Sequence, residues 1–316
     1  VYGWYHQQNI GDDLFIQAFH KIFPELTFIF TNRITVSDLT DVSSVFFGGG
    51  SFVYDVPNME PAALDLLKQK NIFYIGVGIE GSISSVHQDL MKIAKVIAIR
   101  SPNFLQKVSE LNPNTMVIPD IVYSLYEKSA VTKKKNSVLI IPNIIVVPNH
   151  ADPHWKHAAW GYFKSEFCQF LDELMSKGHK VDFLSMCNNN IVNDLGAAVE
   201  IVSHMKHRKY NSILPKQSEQ INNLINLLAQ YEVIITQRYH GIVLAQLARV
   251  PYLSIHHHDK LKNASIQEGG YLSYYGLNKQ ELFSQFNCMK DKKLNDFQLS
   301  KLNVFEELHD KVLAHL

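Results

Sequence analysis

The chain has 316 residues, 46% of them hydrophobic and only 19% charged, which excludes a disordered polymer and leaves enough apolar mass for two ordinary domains. Lysine plus arginine equals aspartate plus glutamate at 30 each, so no global field draws it to nucleic acid, and any anion it binds must be held by local cations. The three cysteines, Cys168, Cys187 and Cys288, form no CxxC pair and are odd in number, which points to reduced thiols and a cytoplasmic location. No apolar run reaches membrane-spanning length and no secretory signal is visible. The chain opens on Val1 rather than methionine, consistent with a few residues missing before it.

In chain order, residues 1–5 (VYGWY) read as the end of a first strand. The turn around Asn9 and Gly11 follows, and then a helix capped or opened by Asp12 that carries Leu14, Phe15, Ala18, Phe19 and Ile22. Residues 27–30 predict a short strand. Residues 44–47 predict another, ending in Gly48, Gly49 and Gly50. Pro61 opens a helix through Lys70. Strands at 72–77 and 96–100 alternate with helices at 85–94 and up to Glu110, and a short strand at 116–118 precedes Pro119 and Asp120. Scattered histidines such as His20, His87 and His179 read as surface or half-buried. This strand–turn–helix rhythm predicts a doubly wound parallel sheet.

Composition shifts at 126–137 (YEKSAVTKKKNS), a polar, lysine-rich linker, so the expected domains are 1–128 and 136–316. A second sheet begins at 138–147. Helices at 160–177, 192–207 and 218–230 alternate with strands at 181–185 and 232–236. Ile242 to Ala248 is apolar almost all round, which predicts a helix packed on several sides. Pro251 ends it and residues 252–255 form the next strand. The last amphipathic segment, 295–316, could fold back on the first domain. The expected architecture is α/β: two Rossmann-like doubly wound parallel-sheet domains facing a cleft, with Arg100 and His240 turned towards it.

Polar residues gather where strands end. Arg238, His240 and Gly241 follow the strand at 232–236, and His256, His257, His258, Asp259 and Lys260 follow the next. Ligands of open α/β sheets bind beyond the carboxyl ends of the strands. Fixed cations, an imidazole and a helix start there make an anion site that can move a proton. Asp12 and Asp13 can bind sugar hydroxyls, or one can serve as a base; equally, they can cap the helix. Gly48–Gly50 can wrap a sugar or phosphate, or simply turn. They fit neither GxGxxG nor GxxxxGK[ST], and Gly76, Gly78 and Gly81 give a weaker signal of the same kind. Arg100 at a strand end can grip a small dianion, although a lone arginine is more often in a structural ion pair. Adjacent histidines at 256–258 point to alternate faces of an extended chain, and HExxH is absent, so no metal is expected and activity should survive chelation.

NIGDD after the first strand, FFGGGSF, GVGIEG, the arginine of IAIRS, IPD, RYHG and the distal HHDK occur here in the order found in polysaccharide pyruvyl transferases, and from Gly3 to Lys260 the chain resembles that family. The resemblance implies a GT-B-like fold and transfer of the enolpyruvyl unit of phosphoenolpyruvate to a sugar as a ketal, on a glycan or lipid-linked acceptor. The acceptor would bring the protein near a membrane. No cofactor, metal or nucleic acid is implied. Arg100, Arg238, His240 and Lys260 would hold and activate the donor, helped by Gly241 and His258. Asn9, Gly11, Asp12, Asp13 and Gly48–Gly50 would face the acceptor. The family commonly has an acidic residue after the arginine, whereas Ser101, Pro102 and Asn103 stand here, with helix capping passed to Ser101. Residues 143–157, with Trp155, are an expected acceptor loop. The alternatives are a GT-B glycosyltransferase using a nucleotide sugar and a non-catalytic sugar-binding relative.

Overall fold

The computed structural model describes residues 1–127, 136–143, 153–189, 192–207, 211–213, 221–256, 259–265, 269–292 and 302–316. The expected histidines His257 and His258, and residues 144–152 of the expected acceptor loop, lie outside the described residues. Contacts divide the chain into two units, Val1–Tyr126 with Gln298–Leu316, and Glu127–Phe297.

In the first unit, α1 (Ile10–Ile22) is followed by α2 (Val36–Thr40), β1 (Ser44–Gly48), α3 (Ala63–Leu67), β2 (Asn71–Val77), α4 (Ser85–Ile93), β3 (Val96–Ile99), α5 (Leu105–Leu111) and β4 (Thr115–Val117). The four strands pair in the order β1-β2-β3-β4, all parallel. The chain start is shorter than a full strand. Tyr2 alone bridges both Phe47 and Thr31, so the strand expected at 27–30 reduces to an extended segment with one bridge at Thr31. Parallel strands buried on both faces should be apolar throughout, and β2 and β3 comply, with Ile72 to Ile75 and Ile97 to Ile99 at 0% exposure. The helix expected from Pro61 is trimmed to α3. His87, expected near the surface, is buried on α4 and shares a 2.8 Å hydrogen bond through Nδ1 with the Tyr74 hydroxyl.

In the second unit, β5 (Ser137–Ile141) leads to α6 (Pro153–Ser176), β6 (Lys180–Leu184), α7 (Asp194–His204), β7 (Asn211–Ile213), α8 (Ile221–Ala229) and β8 (Val233–Thr236). Then come α9 (Tyr239–Leu247), β9 (Tyr252–His256), α10 (Asp259–Ser265), β10 (Gly270–Ser273) and α11 (Lys279–Lys290). The six strands run parallel in the order β10-β9-β8-β5-β6-β7. The jump from β5 to β8 is the point where a doubly wound sheet reverses its winding. Seven consecutive residues of α9, Gly241 to Leu247, are buried, as its all-round apolar sequence requires. The strands β7 and β10 were not anticipated. Both are short, and Gly270–Ser273 alternates buried and exposed residues at the sheet edge. The chain closes with α12 (Asn303–Leu313), which packs on α1 and β3 of the first unit through a face of Phe305, Leu308 and Val312.

Candidate functional site

Because every strand of a sheet runs parallel, each unit gathers its loops at one carboxyl edge. In the first unit, α1 begins there. Its N-cap is Asn9, whose side-chain oxygen accepts from the Gly11 N–H at 3.2 Å, and not Asp12 as expected. Asp12 instead accepts from Asn9 Nδ2 at 2.5 Å, and Asp13 accepts the backbone N–H of His6 at 2.9 Å. His6 and Gln8 sit at φ of 60° and 53°, a left-handed conformation that costs of order 1 kcal/mol or more for such residues. Asp13 therefore helps hold a strained turn. Burial raises its carboxyl pKa, with the His6 N–H opposing.

The three glycines at the end of β1 divide by role. A Cβ on Gly48 would strike the Phe19 ring at 2.3 Å and one on Gly49 the Phe15 ring at 2.2 Å, so these two serve packing rather than ligand approach. Gly50 has φ of +79° and meets nothing nearer than the Asp12 carboxylate and the Phe52 ring, each at 3.6 Å. Its carbonyl accepts the Gly78 N–H at 2.8 Å, tying the loop after β1 to the loop after β2. Arg100, just beyond β3, is buried in an ion pair with Asp120, and its Nη2 lies 3.3 Å from Ser51 Oγ. The structural ion pair weighed for a lone arginine is thus present. Ser101 does not cap the following helix; its hydroxyl instead accepts the Ile79 N–H at 2.9 Å.

In the second unit, Thr236 ends β8 and its hydroxyl accepts the Arg238 N–H at 3.0 Å. Arg238 is the N-cap of α9 but gives it no side-chain cap. Its guanidinium reaches past the end of β5 to Asp194, the first residue of α7, through Nε to Oδ2 at 3.1 Å and Nη2 to Oδ1. Asp194 is fully buried and also accepts the Met186 and Cys187 N–H groups at 3.1 and 2.9 Å. Burial raises its pKa, while Arg238 and the two N–H groups pull it back down. With two backbone N–H groups and a guanidinium on it, the carboxylate is the form this cage suits.

His240 is half-buried in the first turn of α9, edge-on to Tyr239 with ring centroids 5.3 Å apart. Lys260, in the first turn of α10, places Nζ 4.8 Å from the Tyr239 ring centre. Tyr239 thus joins the imidazole and the ammonium at one sheet edge, a cation–π contact that sequence reading missed. Gly241 is there for space. A Cβ would lie 2.1 Å from Thr236 Oγ1, so only glycine lets α9 start this close to β8. His256 ends β9 against the Tyr271 ring. Sequence reading also passed over Asp194 and Gln237. An acid opening the largely apolar segment DLGAAVEIV was the available sign of a buried partner for an arginine. Among the described residues, no group of three or more His, Cys, Asp and Glu could hold a metal ion, and no helix is long and apolar enough to cross a membrane.

The sequence model of the polysaccharide pyruvyl transferase family matches residues 9–259, a span that takes in both sheet edges. The chain belongs to that family. No curated protein sequence matches it. Among solved structures it is similar to UDP-GlcNAc 2-epimerase from Methanocaldococcus jannaschii, with 13% identity and a TM-score of 0.54 over 84% of this chain and 76% of that one. It is also similar to S. aureus MnaA in its co-structure with UDP, with 13% identity and a TM-score of 0.51 over 89% and 72%. At such identity these likenesses establish the fold, which is GT-B-like. Family membership supports a transferase of polysaccharide biosynthesis.

Proposed function

We propose that this transferase takes the enolpyruvyl unit of phosphoenolpyruvate and installs it as a cyclic ketal on two hydroxyls of a sugar, releasing inorganic phosphate, in the cytoplasm and on a glycan or lipid-linked acceptor. The reading rests on the grouping of Arg238, His240 and Lys260 at the carboxyl edge of the second sheet, in a chain of this family. Phosphoenolpyruvate carries a carboxylate and a phosphate on one small frame, and neighbouring cations on a helix start suit it. Protonating its methylene carbon leaves an oxocarbenium-like centre at C2. A sugar hydroxyl attacks that centre and loses its proton, the C2–O bond to phosphate breaks, and the second hydroxyl closes the ketal. His240 is the assigned acid, to the methylene carbon or to the departing phosphate. Arg238 and Lys260 bind the anion and stabilise charge on the leaving group.

On the acceptor side we assign Asn9, Asp12, Asp13 and Gly50. Asp13 is the candidate base, since a carboxylate whose pKa is raised by burial takes a hydroxyl proton more readily. Arg100 is assigned to holding the loops after β1 and β4 in place through Ser51 and Asp120, as well as to the substrate. The scheme needs no cofactor or metal.

The test is phosphate release from phosphoenolpyruvate with a panel of lipid-linked or nitrophenyl glycosides. Acceptor-dependent release supports the proposal. No release, with transfer from a nucleotide sugar instead, would make the protein a GT-B glycosyltransferase.

A further inference from the structure

Gln237 stands between the last residue of β8 and Arg238, and is 3% exposed. Its backbone N–H donates to the Ile141 carbonyl at 2.9 Å, continuing the ladder to β5. Its side-chain Oε1 accepts the Asn143 N–H at 3.1 Å. A backbone N–H can only donate, so the atom facing it must be the amide oxygen, and the other end must be the NH2 group. That Nε2 is buried and has no hydrogen-bond partner among the described residues. Buried amide donors rarely stay unmatched, and when they do the missing partner is often a ligand or ordered water. What is missing is an acceptor, because NH2 can only donate.

The position narrows the acceptor further. Gln237 lies beyond the carboxyl ends of β5 and β8, where the winding of the sheet reverses, and is followed by Arg238, Tyr239 and His240 at the start of α9. Arg238 and the helix start make this edge favourable to negative charge. We propose that the Gln237 side-chain amide binds the donor, its Nε2–H donating to an anionic oxygen of phosphoenolpyruvate while Oε1 keeps the loop after β5 in place. This rests on the phosphoenolpyruvate reading above and adds to it a neutral contact that sets the orientation of the dianion between charged groups.

The isosteric change Gln237→Glu separates the two duties. It keeps an oxygen for the Asn143 N–H but replaces the donor end by an acceptor that repels an anion. Gln237→Met keeps the length and supplies neither. Steady-state kinetics on full-length protein, with circular dichroism confirming the fold, should give a KM for phosphoenolpyruvate raised at least tenfold in Gln237→Glu and severalfold in Gln237→Met. The KM for the acceptor glycoside should stay within about twofold in Gln237→Glu. Inhibition constants for phosphate and for pyruvate then show which end of the donor is held, since only the ligand bearing that end weakens. If every folded variant keeps the wild-type KM for phosphoenolpyruvate, the amide only clamps β5 or holds a water and the proposal is overturned. If both KM values rise together only in Gln237→Met, the clamp alone matters and the proposal is likewise overturned. If the wild type releases no phosphate from phosphoenolpyruvate, the functional reading fails first and this assignment falls with it.

Discussion

Arg238 and Asp194 form one buried unit across the end of β5: a guanidinium from the start of α9 lies on a carboxylate from the start of α7, which also takes two backbone N–H groups. The Asp194 side chain is 0% exposed and that of Arg238 18%. The arginine is thereby aimed before any substrate arrives. Truncating it would strand a buried carboxylate, which typically costs about 3–5 kcal/mol. Arg238→Ala should therefore lower the stability of the second unit as well as donor binding. Arg238→Ala with Asp194→Asn should recover much of the stability and none of the binding. Urea unfolding followed by hydrogen exchange in β5, β6 and β8, paired with donor titration, reads the two effects separately.

His240 and Lys260 should divide the kinetics between them. Both lie beside Tyr239, but a proton donor acts only as the proton moves, whereas an ammonium binds the dianion in ground and transition states alike. His240→Gln should lower kcat about a hundredfold or more, with KM for phosphoenolpyruvate changed far less. Lys260→Ala should mainly raise that KM. A near wild-type kcat in His240→Gln would move the acid elsewhere, with His256 next to be tested.

Gly241→Ala tests the crowding between β8 and α9. The new methyl group would lie 2.1 Å from Thr236 Oγ1 and 3.2 Å from Ile141 Cδ1. Relieving that overlap should cost about 1–3 kcal/mol and shift the neighbouring His240, so Tm and kcat/KM should fall together. Adding Thr236→Ala removes the nearest atom and should restore part of the Tm. An unchanged Tm in Gly241→Ala would show that the helix start has slack.

His87 gives the first unit a pH dependence. Burial lowers its pKa to about 4, with Asp55 opposing, whereas an unfolded histidine titrates near 6.5. Between these values the unfolded chain binds more protons than the folded one, so stability is whole above pH 6.5 and falls as the pH drops towards 4. The full loss is about 3 kcal/mol. Hydrogen exchange of α4 and β2 amides at pH 4.5 and 7 should show it, and His87→Gln should flatten the difference. An equal pH response in that variant would assign the effect to other groups.

Hydrophobic patterning determined a good deal of this protein by itself. Runs such as 72–75 and 233–235 are apolar because parallel strands are covered on both faces, and the nearly all-apolar stretch after His240 reads as a helix buried on several sides. The order of short motifs likewise carried the family. The sequence was weakest where an element is made by its neighbours. Residues 27–30 look like a strand, yet the one bridge of this segment lies just beyond them, from Thr31 to Tyr2, because a strand exists only through its partner. Asn9 rather than Asp12 caps α1 because capping depends on backbone angles at the turn.

Only the tertiary structure decided which charges meet. Asp194 lies 44 residues from Arg238, Asp120 lies 20 from Arg100, and Asn143 lies 94 from Gln237. No local pattern encodes such separations, since they arise when a parallel sheet brings loops from distant crossovers to one edge. The same holds for α12, whose amphipathic face says that it must pack but not on what, and which lies with α1 and β3 of the first unit. Chain order supplied the candidate residues; the winding of each sheet determined which of them are held by a partner.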